Sequence, residues 1–112
     1  MTDKELSFID HIAIRVSDIH VSEEWYLKHL KAEVVFRDNK YIRLKVKNTY
    51  ISLIDEKYYP YNHIGILVEN QDELPSDIGK IVEHRDGTVG CYVVDPHGNY
   101  IEYIWYKDKN NL

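Results

Sequence analysis

Apolar and polar residues alternate in several short segments of this chain, and two of these segments are nearly identical. Residues 11–16 read His-Ile-Ala-Ile-Arg-Val, and residues 63–68 read His-Ile-Gly-Ile-Leu-Val. An alternation with a period of two is typical of a β-strand with one buried face. We therefore predict a strand at the start of each half. The aliphatic face of the first strand carries Ile12, Ile14 and Val16, and the opposite face carries His11, Ala13 and Arg15.

A second pair of matching segments closes each half. Residues 50–54 read Tyr-Ile-Ser-Leu-Ile, and residues 100–104 read Tyr-Ile-Glu-Tyr-Ile. The members of the first pair are 52 positions apart, and those of the second pair are 50 positions apart. Two matches in the same order at nearly the same spacing indicate an internal repeat, so the chain is predicted to contain two copies of one unit.

The segment after the first strand has the features of a helix. Asp18 or Ser22 can cap its first turn, and charged residues fill much of the remainder. Its apolar stripe, which is expected to pack on the aliphatic face of the strand, is predicted to comprise Val21, Trp25, Tyr26 and Leu30. Three strands are predicted next, with a turn at Asp38-Asn39, at about residues 33–36, 41–47 and 49–54.

The second half repeats this β-α-β-β-β order with a shorter helical segment. Residues 72–78 contain Pro75 and are predicted to form only a turn or two of helix. Strands are predicted at about residues 81–84, 90–94 and 100–106, with a turn at residues 95–99. Residues 55–62 are interpreted as a surface connection between the halves.

These elements together predict an α+β fold. Two βαβββ modules, at about residues 7–55 and 61–107, are expected to form a curved mixed sheet within one domain spanning residues 1–112. A chain of 112 residues can bury a hydrophobic core without disulfides. Hydrophobic residues make up 44% of it, and no apolar run approaches the ~20 residues of a membrane-spanning helix. We expect a soluble globular protein without a membrane partner.

The charge balance and the single cysteine restrict partners and compartment. The formal net charge is −5 and the basic residues are scattered, so a nucleic-acid partner is not expected. The first residues, Met-Thr-Asp-Lys-Glu-Leu, do not resemble a secretory signal. Cys91 has no partner for an internal disulfide, and we expect it to be a small buried residue in a reducing cytoplasm.

Ten tyrosines are the unusual feature of the composition, and most of them fall in the predicted strands. They are either β-forming residues at a half-buried surface or the lining of a pocket for an aromatic or polar ligand. The sequence leaves both interpretations open.

The repeat also aligns residue types that bind metals. His11 and His63 occupy the same position in their halves, as do Ser52 and Glu102. If the halves pair about a pseudo-twofold axis, these four side chains converge. Two imidazoles and one carboxylate suit Fe(II) and are tolerated by Mn, Ni, Co and Zn. We therefore predict that His11, His63 and Glu102 bind a divalent metal ion, with Fe(II) as the first choice.

The chain resembles the vicinal oxygen chelate superfamily, which includes glyoxalase I, fosfomycin-resistance thiol transferases, bleomycin-binding proteins, methylmalonyl-CoA epimerase and extradiol dioxygenases. The resemblance extends from Phe8 to Trp105 and is most specific in residues 10–16, 62–66 and 94–102. It implies the same βαβββ fold, a divalent metal cofactor and a small-molecule substrate. Members with two modules often pair as dimers, so it also implies a homodimer.

Residue by residue, the resemblance places His11, His63 and Glu102 at family ligand positions. Ser52 departs from the pattern, because glyoxalase I has a Glu there and the epimerase has a Gln. This departure disfavours a glyoxalase-type isomerase. Fosfomycin transferases and extradiol dioxygenases are similar to this chain in having two His and one Glu.

The reaction ranked first is ring cleavage of a catechol-like compound by an extradiol-type dioxygenase. The turn at residues 95–99 sets Tyr92 opposite Glu102. Extradiol dioxygenases have a Tyr at the similar place and a His just before that strand, where this chain has His84. The resemblance implies that Tyr92 hydrogen-bonds the substrate and His84 transfers a proton. A strand aromatic and an exposed histidine are the alternative interpretations of these two residues.

Two other functions stay open at this point. One is thiol transfer, lyase chemistry or isomerisation at the same metal, and the other is metal-free binding of an aromatic antibiotic among the tyrosines. Arg15 and Arg43 are either exposed strand residues or cleft residues that hold an anionic substrate. The remaining histidines are expected to be solvated: His20, His29 and His97.

Overall fold

The structure, a computed structural model, describes residues 9–108. These residues form eight strands, one α-helix and one 3₁₀ helix. They divide into two compact units, His11–His63 and a second unit of residues 64–108 with residues 9–10. Residues 1–8 and 109–112, the two ends of the predicted domain, lie outside the described residues. Within residues 9–108, no helix has both the length and the apolar character needed to cross a membrane.

The first unit has the predicted β-α-β-β-β order. Its strands are joined in the order β2-β3-β4-β1. Strand β1 pairs parallel with β4, whereas β2 with β3 and β3 with β4 are antiparallel, so the pairing is mixed as predicted. The elements are β1 Ile9–Val16, α1 Ile19–His29, β2 Glu33–Arg37, β3 Tyr41–Val46 and β4 Thr49–Asp55.

Helix α1 begins where the sequence predicts. The Asp18 carboxylate accepts hydrogen bonds from the backbone N–H groups of His20 and Val21 at 3.0 and 3.1 Å. These bonds satisfy two of the N–H groups that have no partner within a helix, so Asp18 is the N-cap.

The predicted apolar stripe of α1 is wrong for Val21, Trp25 and Leu30, whereas its fourth member, Tyr26, packs against the core as predicted. Val21, Trp25 and Leu30 are 64%, 52% and 39% exposed. The buried helix face is formed by Ile19 at its start, with Tyr26 and Leu27 packed against the same core. Apolar residues occupy two faces of this helix, and packing on the sheet selects the Ile19 face.

The core of the first unit lies between α1 and the strands β3 and β4. Its buried members are Ile19, Ala32, Ile42, Leu44 and Leu53. The aliphatic face of β1 is buried less than predicted. Val16 packs against this core, but Ile12 on the same face is 42% exposed. The opposite face of β1 is the more buried one, since Ala13 is 1% exposed.

The second unit repeats the order with one turn of 3₁₀ helix in place of the α-helix. This turn spans Gln71–Glu73 and precedes Pro75, which has no backbone N–H with which to continue it. The strands are joined in the order β5-β8-β7-β6, with β6–β7 and β7–β8 antiparallel. They are β5 His63–Val68, β6 Lys80–Glu83, β7 Thr88–Val94 and β8 Tyr100–Tyr106.

The core of the second unit includes Cys91, which is 0% exposed and carries a free thiol. Burial, followed by the charge of Asp77, raises the pKa of the Cys91 thiol. The expectation that Cys91 is a small buried residue is therefore confirmed. The other buried members of this core are Val68, Leu74 and Val89.

The turn at residues 95–99 is present and is built by one carboxylate. Asp95 Oδ1 accepts hydrogen bonds at 2.8 Å from the backbone N–H groups of both His97 and Asn99. Gly98 has φ of 87°, a left-handed conformation that glycine adopts without steric cost. This turn sets the β7–β8 register, in which Tyr92 pairs with Glu102 as predicted.

Candidate functional site

Two of the predicted ligands meet within the first unit. His11 lies on β1 and is 4% exposed, and His63, the first residue of β5, is half-buried. Their Nε2 atoms lie 3.0 Å apart, with the rings nearly perpendicular at 86°. This spacing fits a hydrogen bond between neutral imidazoles. It also fits two ligands of one ion, because two metal–nitrogen bonds of about 2.1 Å at a right angle end about 3.0 Å apart.

The third predicted ligand lies in the second unit, on β8. Glu102 is 2% exposed, although a carboxylate is among the most costly side chains to bury. Its Oε2 contacts Nε2 of His84, whose side chain is 24% exposed. The side chain of His84 thus contacts the carboxylate of Glu102. The sequence did not predict this contact.

Gly90, in the middle of β7, makes this contact possible. A Cβ atom at position 90 would overlap the Glu102 carboxylate and lie 2.7 Å from His84 Nε2. A side chain at position 90 would therefore have to displace the Glu102 carboxylate or the His84 ring. Sequence reasoning missed Gly90, although a glycine inside a strand often marks a close approach of another group.

Tyr92 stands beside this pair. It is directly across from Glu102 in the β7–β8 register, and its ring centroid lies 6.1 Å from that of His84. Its side chain is half-buried. The structure therefore brings Tyr92, His84 and Glu102 together on one face of the second unit.

Ser52 lies on β4 in the first unit and is 5% exposed. It pairs with Ala13 on one side and with Arg43 on the other. A serine hydroxyl is neutral near pH 7 and does not act alone as a base toward a carbon-bound proton. The repeat position that matches Glu102 thus holds a buried hydroxyl instead of a second carboxylate.

The remaining histidines, His20, His29 and His97, are exposed, as expected.

Arg15 is also exposed, and its Nε donates a 2.8 Å hydrogen bond to the carbonyl of Tyr59. Arg43 differs from Arg15, because it is half-buried and its guanidinium carbon lies 4.2 Å from the ring centroid of Tyr50.

Comparison with known proteins shows which structures this fold resembles. No family model matches the sequence. The methylmalonyl-CoA epimerase of Mycobacterium tuberculosis has a similar structure, with a TM-score of 0.72 at 19% identity over 94% of this chain and 93% of that one. A variant of the Streptomyces coelicolor methylmalonyl-CoA epimerase, in complex with 2-nitronate-propionyl-CoA, is also similar in structure. Its TM-score is 0.74 at 17% sequence identity, and the match covers 91% of this chain and 99% of that one. This chain has the vicinal oxygen chelate fold.

The vicinal oxygen chelate fold was predicted from the repeat and the sequence resemblance, and the comparisons confirm it. A glyoxalase/bleomycin resistance protein/dioxygenase superfamily member from Vibrio splendidus is also similar, with a TM-score of 0.62 at 15% identity over 84% of this chain and 95% of that one. Identities below 20% establish the fold alone. The reaction therefore has to be argued from the residues of this chain.

Proposed function

We propose that His11, His63 and Glu102 together bind one divalent metal ion, and that the protein is a metal-dependent enzyme acting on a small molecule with two adjacent oxygens. The observation that carries the proposal is the 3.0 Å spacing of the His11 and His63 Nε2 atoms. Of the two interpretations of this spacing, shared ligation also accounts for the occurrence of both histidines at repeat-equivalent positions.

The donor set suits such an ion. Two neutral imidazoles and a carboxylate leave one net positive charge on a bound dication, which offsets the cost of burying Glu102. Metal-binding carboxylates are usually held by a further hydrogen-bonded group, and His84 occupies that place on Glu102. Gly90 supports the same contact by leaving the space that it needs.

The residues of this chain then have distinct tasks. A bound ion would supply Lewis-acid chemistry and a template for adjacent substrate oxygens. His84 orients the Glu102 carboxylate and is a candidate for transferring a proton to or from the substrate. Tyr92, opposite Glu102, can donate a hydrogen bond from its hydroxyl to a substrate oxygen. We rank ring cleavage of a catechol-like substrate first, because this reaction uses two His, one Glu, a Tyr and a His.

Isomerisation of a CoA thioester is the second candidate. It is favoured by the structural similarity to methylmalonyl-CoA epimerases, one of which is bound to 2-nitronate-propionyl-CoA. Moving a proton on and off carbon requires a base, and Ser52 does not provide the carboxylate that glyoxalase I has at this position. The dioxygenase therefore stays first.

The metal site is tested by elemental analysis after incubation with Fe(II), Mn(II), Ni(II) or Zn(II) and removal of unbound ions. We expect about one ion per chain in the wild type and loss of it in His63→Ala and Glu102→Ala. The control is His97→Ala, which removes an exposed histidine and should retain the metal. A wild type that binds no ion would refute the proposal and favour a metal-free binding protein.

The reaction is tested on the metal-loaded protein with an oxygen electrode. Consumption of oxygen on addition of catechol, absent in His63→Ala, would support ring cleavage. A protein that retains its metal but consumes no oxygen, and that exchanges the α-proton of methylmalonyl-CoA with solvent, would identify the isomerase instead.

A second copy of the chain is the proposed partner. The 3₁₀ turn covers less of its sheet than an α-helix would, and Ile78 and Ile81 are 72% and 44% exposed in the same unit. Apolar surface of this kind is often covered by association. Sedimentation equilibrium should give twice the 13.3 kDa chain mass, and a monomer at all concentrations would contradict the dimer.

A further inference from the structure

One row of side chains on the Glu102 face of the second unit runs across three strands. The register pairs Glu102 on β8 with Tyr92 on β7, and Tyr92 with Lys80 on β6. Residues that lie directly opposite each other in an antiparallel pair project to the same side of the sheet. Lys80 therefore projects from the same face as Glu102, with Tyr92 between the two.

The backbone at the start of β6 is held close to β7. A Cβ atom at Gly79 would lie 2.5 Å from Cys91 Sγ and 2.7 Å from the carbonyl oxygen of Tyr92. A glycine in a strand often marks such a close approach of another backbone. The Gly79 N–H also donates a 3.0 Å hydrogen bond to the carbonyl of Pro75. The residue before Lys80 therefore fixes the point from which the lysine side chain extends.

The Lys80 side chain is exposed, and its ammonium is available to a ligand. Within residues 9–108 this ammonium has no hydrogen bond, ion pair or ring contact. The second lysine in the described part of this unit, Lys107, donates a 3.1 Å hydrogen bond to Glu83. Glu83 is three positions after Lys80 on β6, so its side chain lies on the opposite face of the sheet. Lys80 is thus the lysine of this unit that can meet a ligand beside Glu102.

The separation between Lys80 and Glu102 suits a small ligand. Neighbouring strands lie about 4.8 Å apart, so the Cα atoms of these two residues are about 10 Å apart across β7. A hydrogen bond from an ammonium to a carboxylate takes up about 2.8 Å of this distance. The remaining distance, about 7 Å, is close to the length of one aromatic ring with a substituent at each end.

We propose that Lys80 binds a carboxylate of the substrate and so selects substrates that carry one. This inference rests on the proposed function and specifies its substrate class: a small molecule with two adjacent oxygens at one end and a carboxylate at the other. A lysine ammonium attracts an anion as a compact point charge on a flexible stem. The chain as a whole has a net charge of −5, so a local positive charge is needed to favour an anionic substrate.

Calorimetric titration of the metal-loaded protein in the absence of oxygen tests this inference. The probes are 3,4-dihydroxybenzoate and its methyl ester, which differ in the carboxylate charge. We expect the wild type to bind the acid about fivefold more tightly than the ester, as befits an ion pair at an exposed site, and Lys80→Met to lose this preference. Lys80→Glu reverses the charge and should bind the ester more tightly than the acid.

Two further variants serve as controls. Lys107→Met removes one positive charge from the opposite face of the same unit and should keep the preference for the acid. Lys80→Arg retains a positive charge at the same place and should keep the preference as well. Metal content is measured on every sample. A protein that retains its metal without preferring the acid refutes only the role of Lys80, whereas a protein without metal refutes the proposed function and this inference together.

Three results would overturn the assignment of Lys80. The first is equal binding of acid and ester by the wild type, which needs no variant. The second is an equal loss of the preference in Lys80→Met and Lys107→Met, which would indicate general charge attraction. The third is displacement of the acid by inorganic phosphate at a lower concentration than by benzoate, in the wild type but not in Lys80→Met, which would assign Lys80 to a phosphate group.

Discussion

The Cβ that Gly90 lacks would occupy the space filled by the Glu102 carboxylate. This relationship links a residue without functional groups to the candidate metal ligand in the same unit. Glu102 is also in contact with His84, so a side chain at position 90 would disturb both partners at once. Gly90 is therefore expected to matter for the site as well as for stability.

The first prediction is that Gly90→Ala weakens metal binding. The added methyl group has to displace Glu102 or His84, and overpacking of this kind costs about 1–3 kcal/mol of unfolding free energy. We expect at least a tenfold rise in the dissociation constant for the metal, measured by competition with a chelator. The control is Gly79→Ala, whose Cβ would lie 2.5 Å from Cys91 Sγ and should reduce stability with little effect on metal affinity. Equal weakening in both variants would contradict a specific role of Gly90.

The second prediction concerns His84 as a residue that positions Glu102. His84→Ala leaves this carboxylate without its imidazole partner, and the loss of such a partner typically weakens metal binding by about 10–100-fold. His84→Gln retains a donor and should recover part of the affinity. Tyr92→Phe is the control, because it should leave metal affinity unchanged and lower only turnover. Unaltered metal affinity in His84→Ala would show that the contact does not support the site.

The third prediction follows from the buried face of α1. Ile19 is 4% exposed and packs in the core of the first unit, so Ile19→Ala should cost about 2–5 kcal/mol. Val21→Ala, at a site that is 64% exposed, should change stability by less than about 0.5 kcal/mol. Urea unfolding of the three proteins measures both effects. The opposite ranking would restore the apolar stripe that the sequence alone suggested.

The helix shows where sequence reasoning ends. The strands were predictable because a period of two and the repeat both mark them. The turns were predictable because Asp38 and Asp95 each accept hydrogen bonds from backbone N–H groups that follow them, those of Lys40 and Tyr41 in the case of Asp38. The face of α1 was not predictable, because Val21 and Trp25 are as apolar as the residues that the core selects.

The candidate site was predictable to a similar extent. The repeat aligned His11 with His63, and the turn at residues 95–99 placed Tyr92 across from Glu102, since both relations follow from counting along strands. The contact between His84 and Glu102 was not apparent, because it depends on how the end of β6 approaches β7 and β8. Gly90 was the one available signal of that approach.

The fourth prediction concerns the turn that sets the β7–β8 register. The Asn99 side chain, followed by the Asn99 and His97 backbone N–H groups, lowers the pKa of the Asp95 carboxyl from its ordinary value of 3.8. A carboxyl with a lower pKa in the folded state stabilises the protein above the unfolded value, and this contribution disappears as the pH falls through the folded pKa. Asp95→Ala should therefore melt at a lower temperature than the wild type at pH 7.

Thermal melts from pH 7 down to pH 2 measure this difference. The gap between the wild type and Asp95→Ala should be constant above about pH 5 and should narrow below pH 3.8, as protonation removes the charged acceptor in the wild type. Asp86→Ala is the control, since Asp86 accepts analogous hydrogen bonds from Thr88 at the other end of β7 but has no role in the β7–β8 turn. A gap that persists unchanged to pH 2 would mean that the turn depends on the shape of the Asp95 side chain and not on its charge.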